Sequence, residues 1–156
     1  MAENNNGQPL PQSPHPALRQ LEPLVGTWQI SGPEVSGTVT YAWMEGGFFL
    51  IQTFDLHQGG GHQKGVEYTG FDPDTQTLRS RLMGTDGSNY TYTYQVDEGG
   101  FWYWYGEKGS EDFSYSTFNV DRTAYEGRWH FRQPGGTPGG YTYRATRLPD
   151  FLPEET

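Results

Sequence analysis

Cysteine is absent from the 156-residue chain, which removes disulfides, thiolate nucleophiles and cysteine-based zinc sites from consideration. Cations are scarce. Only 10 Lys and Arg stand against 19 Asp and Glu, for a net charge of −9. Nucleic-acid binding rests on neutralising phosphates, and attachment to an anionic membrane surface needs the same charges, so neither partner is expected. Long apolar runs are missing too, and no stretch approaches the ~20 residues of a membrane-spanning helix. Met1 to Gln12 shows neither the basic nor the apolar region of a secretion signal; a cytoplasmic protein is therefore expected. Hydrophobic residues make up only 33% of the chain.

Aromatic residues fill part of that deficit. They account for 16% of the sequence, with 11 Tyr and 5 Trp among them. Each buries a large area but brings a hydroxyl or indole N–H that needs a partner. Such a core must supply hydrogen bonds or leave a wet cavity. The length suits one domain.

Three regions are read along the chain. Residues 1–13 are polar and proline-rich and are expected to form a disordered tail; residues 14–148 form the domain, and 149–156 a C-terminal tail. Pro16 suits the first position of a helix, and Leu18 and Leu21 share one face of a helical turn. One short N-terminal helix follows, plugging or flanking the rest. From Val25 onward, short runs of Thr, Tyr, Val, Phe and Trp alternate with turns. Examples are Glu45-Gly46-Gly47, Gly59-Gly60-Gly61, Asp72-Pro73-Asp74, Asp86-Gly87 and Pro134-Gly135-Gly136. Gly and Asp supply the positive φ and the side-chain caps of tight hairpins. The spacing predicts an all-β fold: a single antiparallel up-and-down barrel of about ten strands.

Period-two alternation assigns the faces. Tyr90, Tyr92 and Tyr94 alternate with Thr91 and Thr93; Tyr125, Gly127, Trp129 and Phe131 with Glu126, Arg128 and His130; Val39, Tyr41 and Trp43 with Thr38, Thr40 and Ala42; Tyr141, Tyr143 and Ala145 with Thr142 and Arg144. The aromatic set faces inward. Two segments do not sort. Phe101-Trp102-Tyr103-Trp104-Tyr105 is aromatic on both faces, and the first half of Phe48–Phe54 is apolar on both. The N-terminal helix is expected to cover one outer face and a partner subunit the other, which makes a homodimer an expectation.

Gly26-Thr27-Trp28 opens the first strand, while Arg144 and Arg147 lie at the end of the last. In a closed barrel these strands are neighbours, so an Arg stacked on Trp28 would seal one end. The segments Leu21-Glu22-Pro23-Leu24-Val25-Gly26-Thr27-Trp28, Trp43-Met44-Glu45-Gly46-Gly47-Phe48-Phe49-Leu50-Ile51, Gly65-Val66-Glu67-Tyr68-Thr69-Gly70-Phe71-Asp72 and Tyr143-Arg144-Ala145-Thr146-Arg147 together resemble the DUF1579-type, lipocalin-like bacterial proteins. The resemblance covers most of residues 17–148. It implies a calycin-like barrel of about ten strands and no established activity. More distantly the chain resembles nitrobindin-like haem barrels, which also open with Gly-x-Trp. That group holds haem iron through a His near the C-terminal end of the barrel. Here Tyr141 to Arg147 contains no His and His130 faces outward by alternation, so no cofactor is expected.

Other chemistry is sparse. His57 and His62 flank the Gly59–Gly61 tip with Asp55 nearby, and read as solvated loop residues. Asp72-Pro73-Asp74-Thr75 reads as a capped turn rather than a cation site. No metal site is therefore expected. No Gly-x-Ser-x-Gly elbow occurs, and the glycine runs lie between strands, where they cannot cradle a phosphate at a helix start. Glu67 is the ambiguous carboxylate. It points inward with Gly65, Thr69 and Phe71, or Val66 and Tyr68 form the inner pair instead. Gln52, between Leu50 and Phe54, is either a covered outer residue or a polar anchor in a pocket. The expected function is binding of a small hydrophobic or aromatic ligand. Tyr41, Trp43, Tyr92, Tyr94, Tyr115, Trp129 and Tyr143 would line the cavity, with Gln52 and Glu67 as anchors. The alternative is a barrel enzyme that folds a hydrophobic, natural-product-like substrate for cyclisation or isomerisation. A third reading is a filled interaction module.

Overall fold

A computed structural model describes Gly7 and residues 9–149. Residues 1–6 and 8 of the expected N-terminal tail, and 150–156 of the C-terminal one, lie outside the described residues. Ten strands follow one 3₁₀ helix, Pro16–Leu24: β1 (Gly26–Ser31), β2 (Val35–Trp43), β3 (Leu50–Gln58), β4 (Gly61–Asp72), β5 (Thr77–Gly84), β6 (Asn89–Val96), β7 (Gly100–Tyr105), β8 (Phe113–Phe118), β9 (Ala124–Arg132) and β10 (Pro138–Arg147). Each strand pairs antiparallel with the one before it, and β10 returns to β1, with Trp28 opposite Arg147 and Ser31 opposite Arg144. The up-and-down barrel is thus closed and has no free edge, which is how such folds avoid strand addition.

The turns form for local reasons. Aspartates cap them by accepting main-chain N–H groups: Asp72 from Asp74, Asp86 from Ser88, Asp97 from Gly99 and Gly100, and Asp121 from Thr123. Hydroxyls of Thr75, Ser88 and Thr123 add to three of these. The bonds favour the carboxylate and hold Asp72, Asp86 and Asp121 below the ordinary aspartate range.

One end of the barrel is a floor. The helix lays Leu18, Leu21 and Leu24 into it, all buried. His15 caps the helix, its Nδ1 accepting the Ala17 N–H at 3.0 Å, and its ring stacks on Phe71 with centroids 3.6 Å apart. Trp28 is 0% exposed, and its indole N–H donates to the Leu24 carbonyl at 2.8 Å. The Arg147 guanidinium lies 4.2 Å from the Trp28 ring centre and donates to the carbonyls of Pro23 and Val25. It ties the helix to the last strand. Gly26 makes room for this crossing. Its φ is +127°, and a Cβ there would stand 2.5 Å from Arg147 Nη1. Arg144 takes no part; it pairs with Glu126 on the outer face.

The helix covers the end of the barrel and not the outer face of β7, as the sequence had suggested it would for one face. On that outer face Trp102 and Trp104 stack on each other, and Trp102 also meets Phe113 and Tyr115 of β8. His130 of β9 extends the row by stacking on Phe113. These side chains cover one another across three strands.

Candidate functional site

A cavity of about 600 Å³ occupies the other half of the barrel. It opens at the end opposite the helix, where Gln58, Gln63, Lys64, Asp86, Ser88 and Asp112 form the rim. Exposed Tyr90, Tyr105 and Phe131 stand at this mouth.

Strand alternation places the walls. From β2, Val39 and Tyr41 point inward; from β3, Gln52, Phe54 and Leu56; from β4, Glu67; from β6, Tyr92 and Tyr94; from β9, Tyr125 and Trp129; from β10, Tyr141 and Tyr143. Of the residues expected at a ligand site, Tyr41, Gln52, Glu67, Tyr92, Tyr94, Trp129 and Tyr143 therefore share one cavity.

Trp43 and Tyr115 are placed elsewhere. Trp43 lies at the floor end of β2, with its indole N–H donating to the Glu22 carboxylate at 2.7 Å. Tyr115 points outward, because buried Ser114 and Ser116 take the inward positions of β8. Phe101, Tyr103 and Tyr105 line the cavity as well and were not among the residues expected at a ligand site. Their strand is aromatic at every position, so alternation alone could not choose a face. Pairing chooses it: Tyr103 lies opposite Tyr94 and the rings stack, 5.3 Å apart at 13°. Trp129 meets the edge of Tyr103 at 4.7 Å.

Three polar groups break the aromatic wall. Glu67 is 2% exposed, and both of its oxygens accept hydrogen bonds: Oε2 from the Ser80 hydroxyl at 2.5 Å, Oε1 from the Tyr94 hydroxyl at 2.8 Å. Burial pushes its carboxyl pKa up, and these two donors pull back against that. The Gln52 amide donates to the Tyr41 hydroxyl at 2.5 Å. The Tyr143 hydroxyl shares hydrogen bonds with Ser114 at 2.6 Å and Ser116 at 2.5 Å. Tyr143 reaches β8 by lying over Gly127, where a Cβ would come within 2.6 Å of the hydroxyl oxygen. Burial also raises the pKa values of Tyr41, Tyr92, Tyr94 and Tyr143, so these phenols stay neutral. Among the described residues no buried side-chain polar atom lacks a hydrogen-bond partner.

An axial histidine for haem iron has no counterpart among the cavity-lining residues. His130 stacks on Phe113 outside the barrel, His15 caps the floor helix, and His57 and His62 pair across β3 and β4. The residues present do not fit a histidine-ligated haem. His57 and His62 are strand residues rather than loop residues, with rings stacked 4.3 Å apart. With Asp55 they place three donor atoms within 4.8 Å on the exposed outer face. That spacing is compatible with a metal ion, but His62 already bonds Asp55 at 2.5 Å and Lys64 stands 4.0 Å from the same carboxylate.

The fold has a solved counterpart. It is similar to the crystal structure of Rv2717c from M. tuberculosis. The TM-score is 0.55 with 16% sequence identity, over 88% of this chain and 100% of that one. At that identity the likeness is one of fold. No family model matches the chain and no curated protein matches it, so the DUF1579-type resemblance rests on the short motifs alone. Among the described residues no helix is long and apolar enough to cross a membrane.

Proposed function

We propose that the barrel binds a small ligand with an apolar or aromatic body, taken in through the mouth and oriented by Glu67, Gln52 and the tyrosine hydroxyls. The observation that carries this reading is the cavity itself. Its volume of about 600 Å³ lies within the roughly 300–1,000 Å³ of small-molecule sites, and apolar walls with a few placed polar groups are their usual lining. A filled core would instead suit a pure interaction module. Trp129, in the wall, is a built-in reporter. Titration with flat aromatics, fatty acids and polyketides should quench tryptophan emission for at least one class, and Trp129→Phe should remove most of the change. An unchanged spectrum with every class would count against the reading.

Glu67 favours a second reading, because it points inward and bonds a tyrosine hydroxyl. A buried carboxyl and a phenol side by side can move a proton to or from a substrate held in the cavity. The barrel would then catalyse cyclisation or isomerisation, mostly by holding a flexible substrate in a reactive fold. Turnover of a bound polyene or polyketide to a product of equal mass, lost in Glu67→Gln, would support it. Recovery of every bound compound unchanged would reject it.

A further inference from the structure

We propose that the ligand carries a basic nitrogen, so that a cationic head meets Glu67 while an apolar or aromatic body fills the barrel. The inference rests on the binding reading above and names its ligand class. Glu67 is a buried acid with no cation of its own. Its two partners are the neutral hydroxyls of Ser80 and Tyr94. The elements packed around it supply none either. β3 presents Gln52 directly opposite, β5 presents Leu82 in register, β6 presents Tyr92 and Tyr94, and β2 presents Tyr41. Lys64, the cationic residue among those lining the cavity, lies exposed at the mouth and stands by Asp55.

Buried carboxyl groups are ordinarily paired. This one is hydrogen-bonded but not neutralised, and it lines a space large enough for another molecule. An anionic ligand at that depth would meet a like charge and no donor cation. A nitrogen cation would meet the carboxylate in a wall that includes Tyr41, Tyr94, Tyr103 and Trp129, and aromatic rings attract cations through their quadrupoles. Proton balance is simple. Where Glu67 is ionised, an amine that arrives protonated pairs with the carboxylate directly. Where Glu67 holds a proton, a neutral amine takes it and becomes the ammonium partner of the carboxylate, and a protonated amine displaces it to solvent.

The test compares three ligands that share a naphthyl ring: naphthylethylamine, naphthylethanol and naphthylacetate, titrated calorimetrically into the full chain. Hydrogen bonds to a charged group outweigh neutral ones, so the amine should bind about 10- to 100-fold tighter than the alcohol, with the acetate weakest. In Glu67→Gln the ratio of amine to alcohol affinity should collapse towards one, while Glu67→Asp keeps the order. The wild-type ratio is read without any variant, so the test does not depend on how Glu67→Gln folds. Equal affinity for amine and alcohol, or a preference that survives in folded Glu67→Gln, overturns the inference and leaves the binding reading intact. No binding by any of the three overturns the inference and counts against the binding reading too.

Discussion

A single carboxyl and a single guanidinium account for much of what is unusual in this barrel. Glu67 is held in a buried, aromatic wall, and its pKa is raised in the folded chain. A raised carboxyl pKa means that the folded state binds the proton more tightly than the unfolded one. Its contribution to stability is therefore full below the ordinary glutamate range and is lost as pH rises through the folded value. The capping aspartates Asp72, Asp86 and Asp121 shift the opposite way. Theirs is full above the ordinary aspartate range and lost as pH falls through the lowered values. Glu67→Gln leaves the aspartates untouched. Denaturant melts across pH 3–9 should thus show the variant gaining on the parent as pH rises; parallel curves would contradict the assignment. At the floor, Arg147 combines a cation–π contact with bonds to two helix-end carbonyls. Arg147→Ala should cost about 2–4 kcal/mol in urea unfolding. Arg147→Lys should fall between, because an ammonium cannot fork between carbonyls while stacking on an indole.

Among the elements, the helix and β4 show what could and could not be read from sequence. The helix was legible because Pro16, Leu18 and Leu21 carry local signals, and the Gly-x-Trp and terminal Arg at its border identified the sealed end. Strands with strict alternation were legible as well, which is why Tyr41, Tyr92, Tyr94, Trp129 and Tyr143 could be placed inside. β4 was not, because Val66 and Tyr68 compete with Glu67 for the inner face on hydrophobicity alone. The choice is made by pairing: Gln52 sits opposite Glu67, and Ser80 and Tyr94 supply its donors. A carboxyl can be inside only where neighbouring strands bring hydroxyls to it, and such partners lie 13 and 27 residues away. Tyr115 went wrong for a related reason. β8 reads Phe113-Ser114-Tyr115-Ser116, and hydrophobicity favours the aromatic set inward, yet the two serines are inside because the Tyr143 hydroxyl needs them. The floor is an element-scale device that can be tested directly. Leu21 is fully buried in it, so Leu21→Ala should destabilise by about 2–5 kcal/mol. If the helix is the plug, the variant should also raise the emission of a dye that reports exposed apolar surface. A loss of stability with no new dye binding would mean the barrel closes around the gap.

Across the whole molecule, the barrel has opposite ends with different duties. Arg147 and Trp28 seal one end, and the rim from Gln58 to Asp112 opens the other. The first and last strands lie side by side, with Leu148 N–H donating to the Thr27 carbonyl at 2.8 Å. Both ends of the barrel sequence therefore leave from the sealed floor. The chain order around the ring is then a convention rather than a mechanical necessity. A short linker joining the floor-side ends, with new termini cut into the Gly59–Gly60 hairpin tip, should give a circular permutant with the same fold and the same cavity. Its circular dichroism and ligand titrations should overlay those of the parent. The same arrangement gives fusion partners a natural place: joined where the chain enters the helix or just past Arg147, they hang from the closed end and leave the mouth free. The barrel can thus be tethered to a surface or fused to a second domain while its aperture still faces the solution.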